Sequence, residues 1–253
     1  MTILVCSITS IILFLATTAL SQSSAEAVPD VNKSAVTAIR NGDLVHAVQM
    51  LEDAVKQNPK NAKSYYNLGT AYYLLKDLAR ARSVIAEALT LEPNSAAALN
   101  QLGLIQIDEG DYAGAIGSLR AAIEARPDSS TSLYNLGCLY IRTDDFRSSI
   151  DLLERAETLD PKNPEVSFNL AFAYGRVGKI SRAIEEARAT LALRPDDGDA
   201  RKMIVILYLL NKERTEALIE FQNLERSGRS VDPWLSRLVH GKQIVSVDDL
   251  AQR

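Results

Sequence analysis

The chain has 253 residues and a formal net charge of −4, with 28 Lys and Arg set against 32 Asp and Glu. The two signs are interspersed and no basic stripe forms, which argues against nucleic acid as a partner. The only two histidines, His46 and His240, stand far apart and supply no set of converging zinc ligands.

The first element in chain order is an apolar run over residues 3–20, with a few Ser and Thr and no charge. Small residues follow, and Ala25-Glu26-Ala27 or Ala19-Leu20-Ser21 would suit a signal-peptide cleavage site. The run is also close to the length of a short membrane span, and no Lys or Arg precedes it. Residues 1–27 are therefore expected to be a secretory signal or an uncleaved membrane anchor. The protein would then be exported, periplasmic or secreted, or else held at a membrane through residues 3–20. Cys6 lies too near the start for lipid attachment. Cys138 would be the single thiol of a cleaved chain, unable to form an internal disulfide.

From about Val28 onward the sequence repeats. Pro59, Pro93, Pro127, Pro161 and Pro195 follow one another at intervals of 34 residues. A period of that length, held so long, predicts one supersecondary unit copied head to tail. The row from Ala62 carries Tyr65, Leu68, Gly69 and Tyr72, spaced as one helical face, then Ala81, Ile85 and Ala88 on a second helix. The next row carries Leu99, Leu102, Gly103, Ala115, Leu119 and Ala122 at the matched places. The fourth carries Leu133, Leu136, Gly137, Tyr140, Leu153 and Ala156, and the fifth Leu170, Ala171, Tyr174 and Ala183. The first row keeps its second half (Ala47, Leu51, Ala54), and the sixth keeps Ile204, Tyr208, Ala217 and Phe221. Asn41-Gly42-Asp43, Lys76-Asp77, Glu109-Gly110-Asp111, Asp144-Asp145 and Gly178-Lys179 are predicted to break the two helices of each row, with Gly42, Gly110 and Gly178 closing a helix in the left-handed conformation. Each proline ends a second helix. Beyond the rows, Asp232-Pro233-Trp234 predicts a further helix with Asp232 as N-cap and Trp234, Leu235, Leu238 and Val239 on its apolar face. Gly241 ends that helix, and Ser246-Val247-Asp248-Asp249 suggests a final turn.

This pattern resembles the tetratricopeptide repeat over about residues 28–231, as repeats near 28–61, 62–95, 96–129, 130–163, 164–197 and 198–231. Departures are mild: no Trp at the first aromatic position, Gln106 for Tyr, Ser149 for Ala, Ala171 for Gly. The resemblance implies an all-α, right-handed superhelical solenoid of about six helix-turn-helix units, with residues 232–253 as a capping helix and tail. It also implies a concave groove lined by the first helices, where a peptide or protein segment binds. Carried over row by row, the groove positions are Tyr66, Tyr73, Asn100, Leu104, Tyr134, Cys138, Ile141, Phe168 and Phe172, with Arg142 and Arg176 at the rim. Aromatics with Arg are frequent binding anchors. Part of that stripe, Tyr and the following Asn67, Asn135 and Asn169, also serves the fold in the family. The Lys and Asn clamp of chaperone-binding members is missing, since Tyr66, Thr70, Gln101 and Thr131 stand in its place.

No phosphate loop or nucleophile elbow occurs. Asp144-Asp145, Asp196-Asp197 and Asp248-Asp249 are neighbours in sequence at turns, which points the carboxylates apart. The expected function is a non-enzymatic interaction scaffold without cofactor or metal. The alternative is a structural unit of the cell envelope that associates with copies of itself.

Overall fold

A computed structural model describes residues 30–228 and 233–241. The predicted signal or anchor, both cleavage sites, Cys6, the Asp232 cap and the turn at residues 246–249 lie outside the described residues.

Thirteen α-helices and no strand occur among the described residues: α1 (Val31–Arg40), α2 (Leu44–Gln57), α3 (Ala62–Leu74), α4 (Leu78–Leu91), α5 (Ala96–Glu109), α6 (Tyr112–Ala125), α7 (Ser130–Arg142), α8 (Phe146–Leu159), α9 (Pro164–Arg176), α10 (Ile180–Leu193), α11 (Gly198–Leu210), α12 (Arg214–Arg226) and α13 (Pro233–His240). The architecture is an all-α repeat solenoid, with two helices to each 34-residue row. Every second helix from α2 to α10 stops two residues before a proline of the ladder. The helices fall into two compact units, one ending at Asn135 and one starting at Leu136, within α7. In each unit helices pack on their neighbours in the chain, and α1 on α3, α3 on α5 and α9 on α11 bring first helices into contact with the next first helix.

The turn between the two helices of a row is the same six times. The residue at its apex has positive φ: Gly42 (80°), Lys76 (63°), Gly110 (84°), Asp144 (60°), Gly178 (77°) and Lys212 (63°). The next residue returns its backbone N–H to a carbonyl five positions back, as in Asp43 N to Ala38 O (2.9 Å), Asp111 N to Gln106 O (2.8 Å) and Glu213 N to Tyr208 O (2.8 Å). That bond closes the first helix in a Schellman motif. The same residue is the N-cap of the second helix. Asp43, Asp77, Asp111 and Asp145 each accept a backbone N–H of the first turn on their side chains, whereas Lys179 and Glu213 make no such bond.

The core runs along the seam between the paired helices. Leu51, Ile85, Leu119, Leu153 and Phe221 are all fully buried on second helices. A Cβ on Gly103 would lie 2.6 Å from Leu119 Cγ, so only glycine lets α5 and α6 approach this closely. At the matched position of the fifth row Ala171 replaces glycine, and Ala187 stands where Leu119 and Leu153 stand in earlier rows. A small residue gained on one helix is thus matched by volume lost on the other. In the C-terminal unit, Leu235 and Val239 of α13 are buried and Trp234 is half-buried. Arg214 on α12 donates to Val239 O (3.2 Å) and Leu238 O (3.0 Å), which satisfies terminal carbonyls of α13. The predicted capping helix is therefore anchored by aliphatic side chains and one arginine, with the tryptophan at its margin.

Candidate partner-binding face

Two kinds of side chain occupy the first helices on the positions that the repeat aligns with the groove. In the N-terminal unit several are amides that bond between rows. Asn67 Nδ2 donates to Asn32 Oδ1 at 2.9 Å, and Asn32 Nδ2 donates to Ser64 Oγ at 3.1 Å. Two rows on, Asn135 Nδ2 donates to Asn100 Oδ1 at 3.0 Å. Asn100 is thus engaged in tying consecutive first helices together. Between these pairs Tyr66 takes the place of the asparagine, and Gln101, 2% exposed, has no acceptor for its Nε2 among the described residues. Tyr66 is half-buried, and burial pushes its phenol above the usual tyrosine range while Thr70 pulls it the other way. Leu104 is half-buried on α5.

Tyr73 is 5% exposed and belongs to the apolar cluster of the N-terminal unit with Leu68, Ile85 and Ile105. Tyr134, also of that unit, is 3% exposed. Cys138 and Ile141 of the C-terminal unit are buried as well. Arg142 is exposed.

In the C-terminal unit α9 carries Phe168, Phe172 and Arg176 at successive steps of four, hence on one face. Both phenylalanines are half-buried. The Arg176 guanidinium lies 4.4 Å from the Phe146 ring centroid and 5.8 Å from that of Phe172. The two rings meet edge to face at 6.2 Å. Arg176 also faces the Asp144 carboxylate at 3.6 Å, but that side chain is 75% exposed, so the ion pair contributes little. The two ring contacts restrain the arginine, whose side chain remains partly exposed.

A second set of contacts joins rows from behind, and sequence reasoning missed it. The Tyr72 hydroxyl donates to Glu52, and the Tyr174 hydroxyl donates to Glu154. Each bond links a first helix to the preceding second helix. Burial and then the partner carboxylate raise both phenols. Arg80 stacks on Tyr72 (4.4 Å) and Arg182 on Tyr174 (5.6 Å), so the motif is copied three rows apart. The signal in the sequence was a Glu–Tyr separation of 20 residues followed by Arg eight residues later, legible only once rows are stacked.

No group of three or more His, Cys, Asp and Glu suited to a metal ion occurs among the described residues, and none of their helices is long and apolar enough to cross a membrane. His46 is exposed, and His240 packs edge to face on Phe221 at 5.5 Å.

Comparison with known proteins agrees with this geometry. The family described as the tetratricopeptide repeat protein 21 C-terminal ARM domain matches residues 16–206. No curated protein matches the sequence. Among solved structures, YrrB, a TPR protein with an unusual peptide-binding site, superposes with a TM-score of 0.65 at 21% identity, over 76% of this chain and 97% of its own. MamA gives 0.60 at 25% identity, over 64% of this chain and 94% of its own. PilF of Pseudomonas aeruginosa gives 0.70 at 17% identity, over 78% and 89%. The shared fold is that of protein–protein interaction scaffolds. With a copied two-helix row, its closing turn and a family match over most of its length, the chain belongs to the tetratricopeptide-repeat family.

Proposed function

We propose that the protein is an exported, non-enzymatic scaffold that holds a peptide or protein segment against the face of its first helices. The observation that carries this reading is the stripe of Phe168, Phe172 and Arg176 on α9: two half-buried rings and a preorganised guanidinium. Partly exposed aromatics beside a fixed arginine supply apolar contact area and bidentate hydrogen bonding at low entropic cost. The peptide-binding site of YrrB supports the same use of the fold. The apolar, uncharged residues 3–20 and the small residues after them support export.

The reading is tested by quantitative pulldown from envelope extracts, comparing the full chain with Phe172→Ala and Arg176→Ala. Specific partners should fall several-fold in both variants while helical content stays unchanged. Equal recovery from all three proteins contradicts the proposed face. The intact mass of the mature chain from fractionated cells tests export: loss of roughly the first 20–27 residues supports cleavage, and an intact chain in the membrane fraction supports an anchor.

A further inference from the structure

On the reading of α9 as the partner-binding face, we propose that the bound segment is a peptide carrying an Asp or Glu beside an apolar side chain, and that its carboxylate displaces Asp144 from Arg176. Phe168 and Phe172, half-buried and one turn apart, supply the apolar seat. The Arg176 guanidinium stands beside them, 4.4 Å from the Phe146 centroid and 5.8 Å from that of Phe172. Among the described residues the carboxylate that meets its charge is Asp144, with Oδ1 3.6 Å from Nη2. That distance permits an ion pair but not a hydrogen bond.

Asp144 is held loosely in this role. Its side chain is 75% exposed, where an ion pair is worth little. The turn does not call for an acid either. Asp144 sits at φ 60° on the apex between α7 and α8, and the matched apices carry Gly42, Lys76, Gly110, Gly178 and Lys212. The backbone there is fixed without the carboxylate, by the Asp145 N–H bond to Tyr140 O at 2.8 Å. Arg176 is thus a carboxylate site occupied by a weak internal competitor. An incoming Asp or Glu that accepts two hydrogen bonds from the guanidinium outcompetes an ion pair that has none.

The rest of the face has the same sign. On the groove-aligned positions of the C-terminal unit the charged side chains are Arg142, Arg176 and Lys202, the last 34 residues after Phe168. Lys202 pairs with Asp199 of its own helix at 3.5 Å, an acid that is 79% exposed. Glu165, at the start of α9, is tied to Arg194 at 2.7 Å. A cationic and aromatic face, on a chain whose net charge is −4, favours an acidic segment over a basic one.

Panning a phage-displayed library of random dodecapeptides against the full chain supplies the probe, and fluorescence anisotropy of the selected peptides reads affinity. Peptides whose binding is lost in Phe172→Ala should be enriched in Asp or Glu next to apolar residues. For such a peptide Arg176→Gln should weaken binding roughly ten-fold, and Asp144→Asn should tighten it roughly three-fold. Asparagine tolerates the left-handed apex, and a gain of affinity does not arise from misfolding. Asp151→Asn removes the same charge from an exposed position of α8 and should change affinity by less than about two-fold. Replacing the peptide's own Asp or Glu by Asn or Gln should erase the gain from Asp144→Asn. Phe172-dependent peptides without acidic enrichment overturn the proposal. So does a gain from Asp144→Asn that is absent, matched by Asp151→Asn or kept by the neutral peptide. The partner-binding reading of α9 survives those results. If no selected peptide depends on Phe172, that reading fails and the acidic segment fails with it. Sedimentation of the full chain alone covers the other occupant: self-association lost in Phe172→Ala assigns the face to a second copy and overturns the proposal.

Discussion

The two units are cut from one 34-residue template, yet they use it differently. In the N-terminal unit every second helix begins with an aspartate that caps it, at Asp43, Asp77 and Asp111. In the C-terminal unit Asp145 does so, but α10 and α12 begin with Lys179 and Glu213 and have no side-chain cap. On the first helices the N-terminal unit joins rows through the Asn32–Asn67 and Asn100–Asn135 amides, whereas α9 presents Phe168, Phe172 and Arg176. The contrast separates two duties of the repeat. Where side chains bond to the next row they stiffen the stack. Where they instead lean on the preceding row through ring and guanidinium contacts and stay partly exposed, as Phe172 and Arg176 do on Phe146, and local helix signals are relaxed as well, the row offers a surface. Departures from local consistency of this kind concentrate at functional places.

The comparison can be broken most sharply at the helix–helix seam. Leu119→Ala should destabilise the N-terminal unit by about 2–5 kcal/mol as a buried truncation, and Gly103→Ala by about 1–3 kcal/mol through overpacking against Leu119. The double variant, which reproduces the Ala171 and Ala187 pairing of the C-terminal unit, should cost less than the sum by about 1 kcal/mol or more in a denaturant cycle. Strict additivity would show that the close approach does not couple the two positions.

Next in size, Tyr72→Phe and Tyr174→Phe remove the same hydroxyl from the two units. Each should lower the local opening energy by about 1–2 kcal/mol, measured by hydrogen exchange across the flanking helices. A loss in one unit alone would mean that the staple is not a shared device. A smaller gain is expected where a signal is missing. Lys179→Asp supplies the absent cap and removes a positive charge from a helix N-terminus. It should stabilise α10 by about 1 kcal/mol, partly offset by losing the Lys179 contact with Tyr174 at 5.5 Å. The smallest effect belongs to Lys212→Gly. It relieves a side chain held at φ 63° and should raise the urea midpoint by the equivalent of about 0.5 kcal/mol. No change there would place the strain elsewhere in the turn.

Much of the fold is legible in the sequence because its cues are local. The prolines end the second helices, and Gly42, Gly110 and Gly178 mark three of the six turn apices. The other three, Lys76, Asp144 and Lys212, adopt the same conformation without glycine and become visible only by register. The candidate face is less legible. Helical spacing brings Phe168, Phe172 and Arg176 together, but it does not distinguish them from Tyr73, which has the same character and is buried with Leu68 and Ile85. The Asn100–Asn135 bond joins residues 35 apart in sequence, and no cue within a row reports it.

The central claim is that first-helix positions, rather than second-helix ones, receive the partner. A photo-crosslinking residue placed at Phe172, and separately at Ile219, which is 52% exposed on α12, compares the two directly in cells. The account predicts a discrete cross-linked partner from position 172 and none from position 219. Cross-links of equal yield from both, or from position 219 alone, would contradict it.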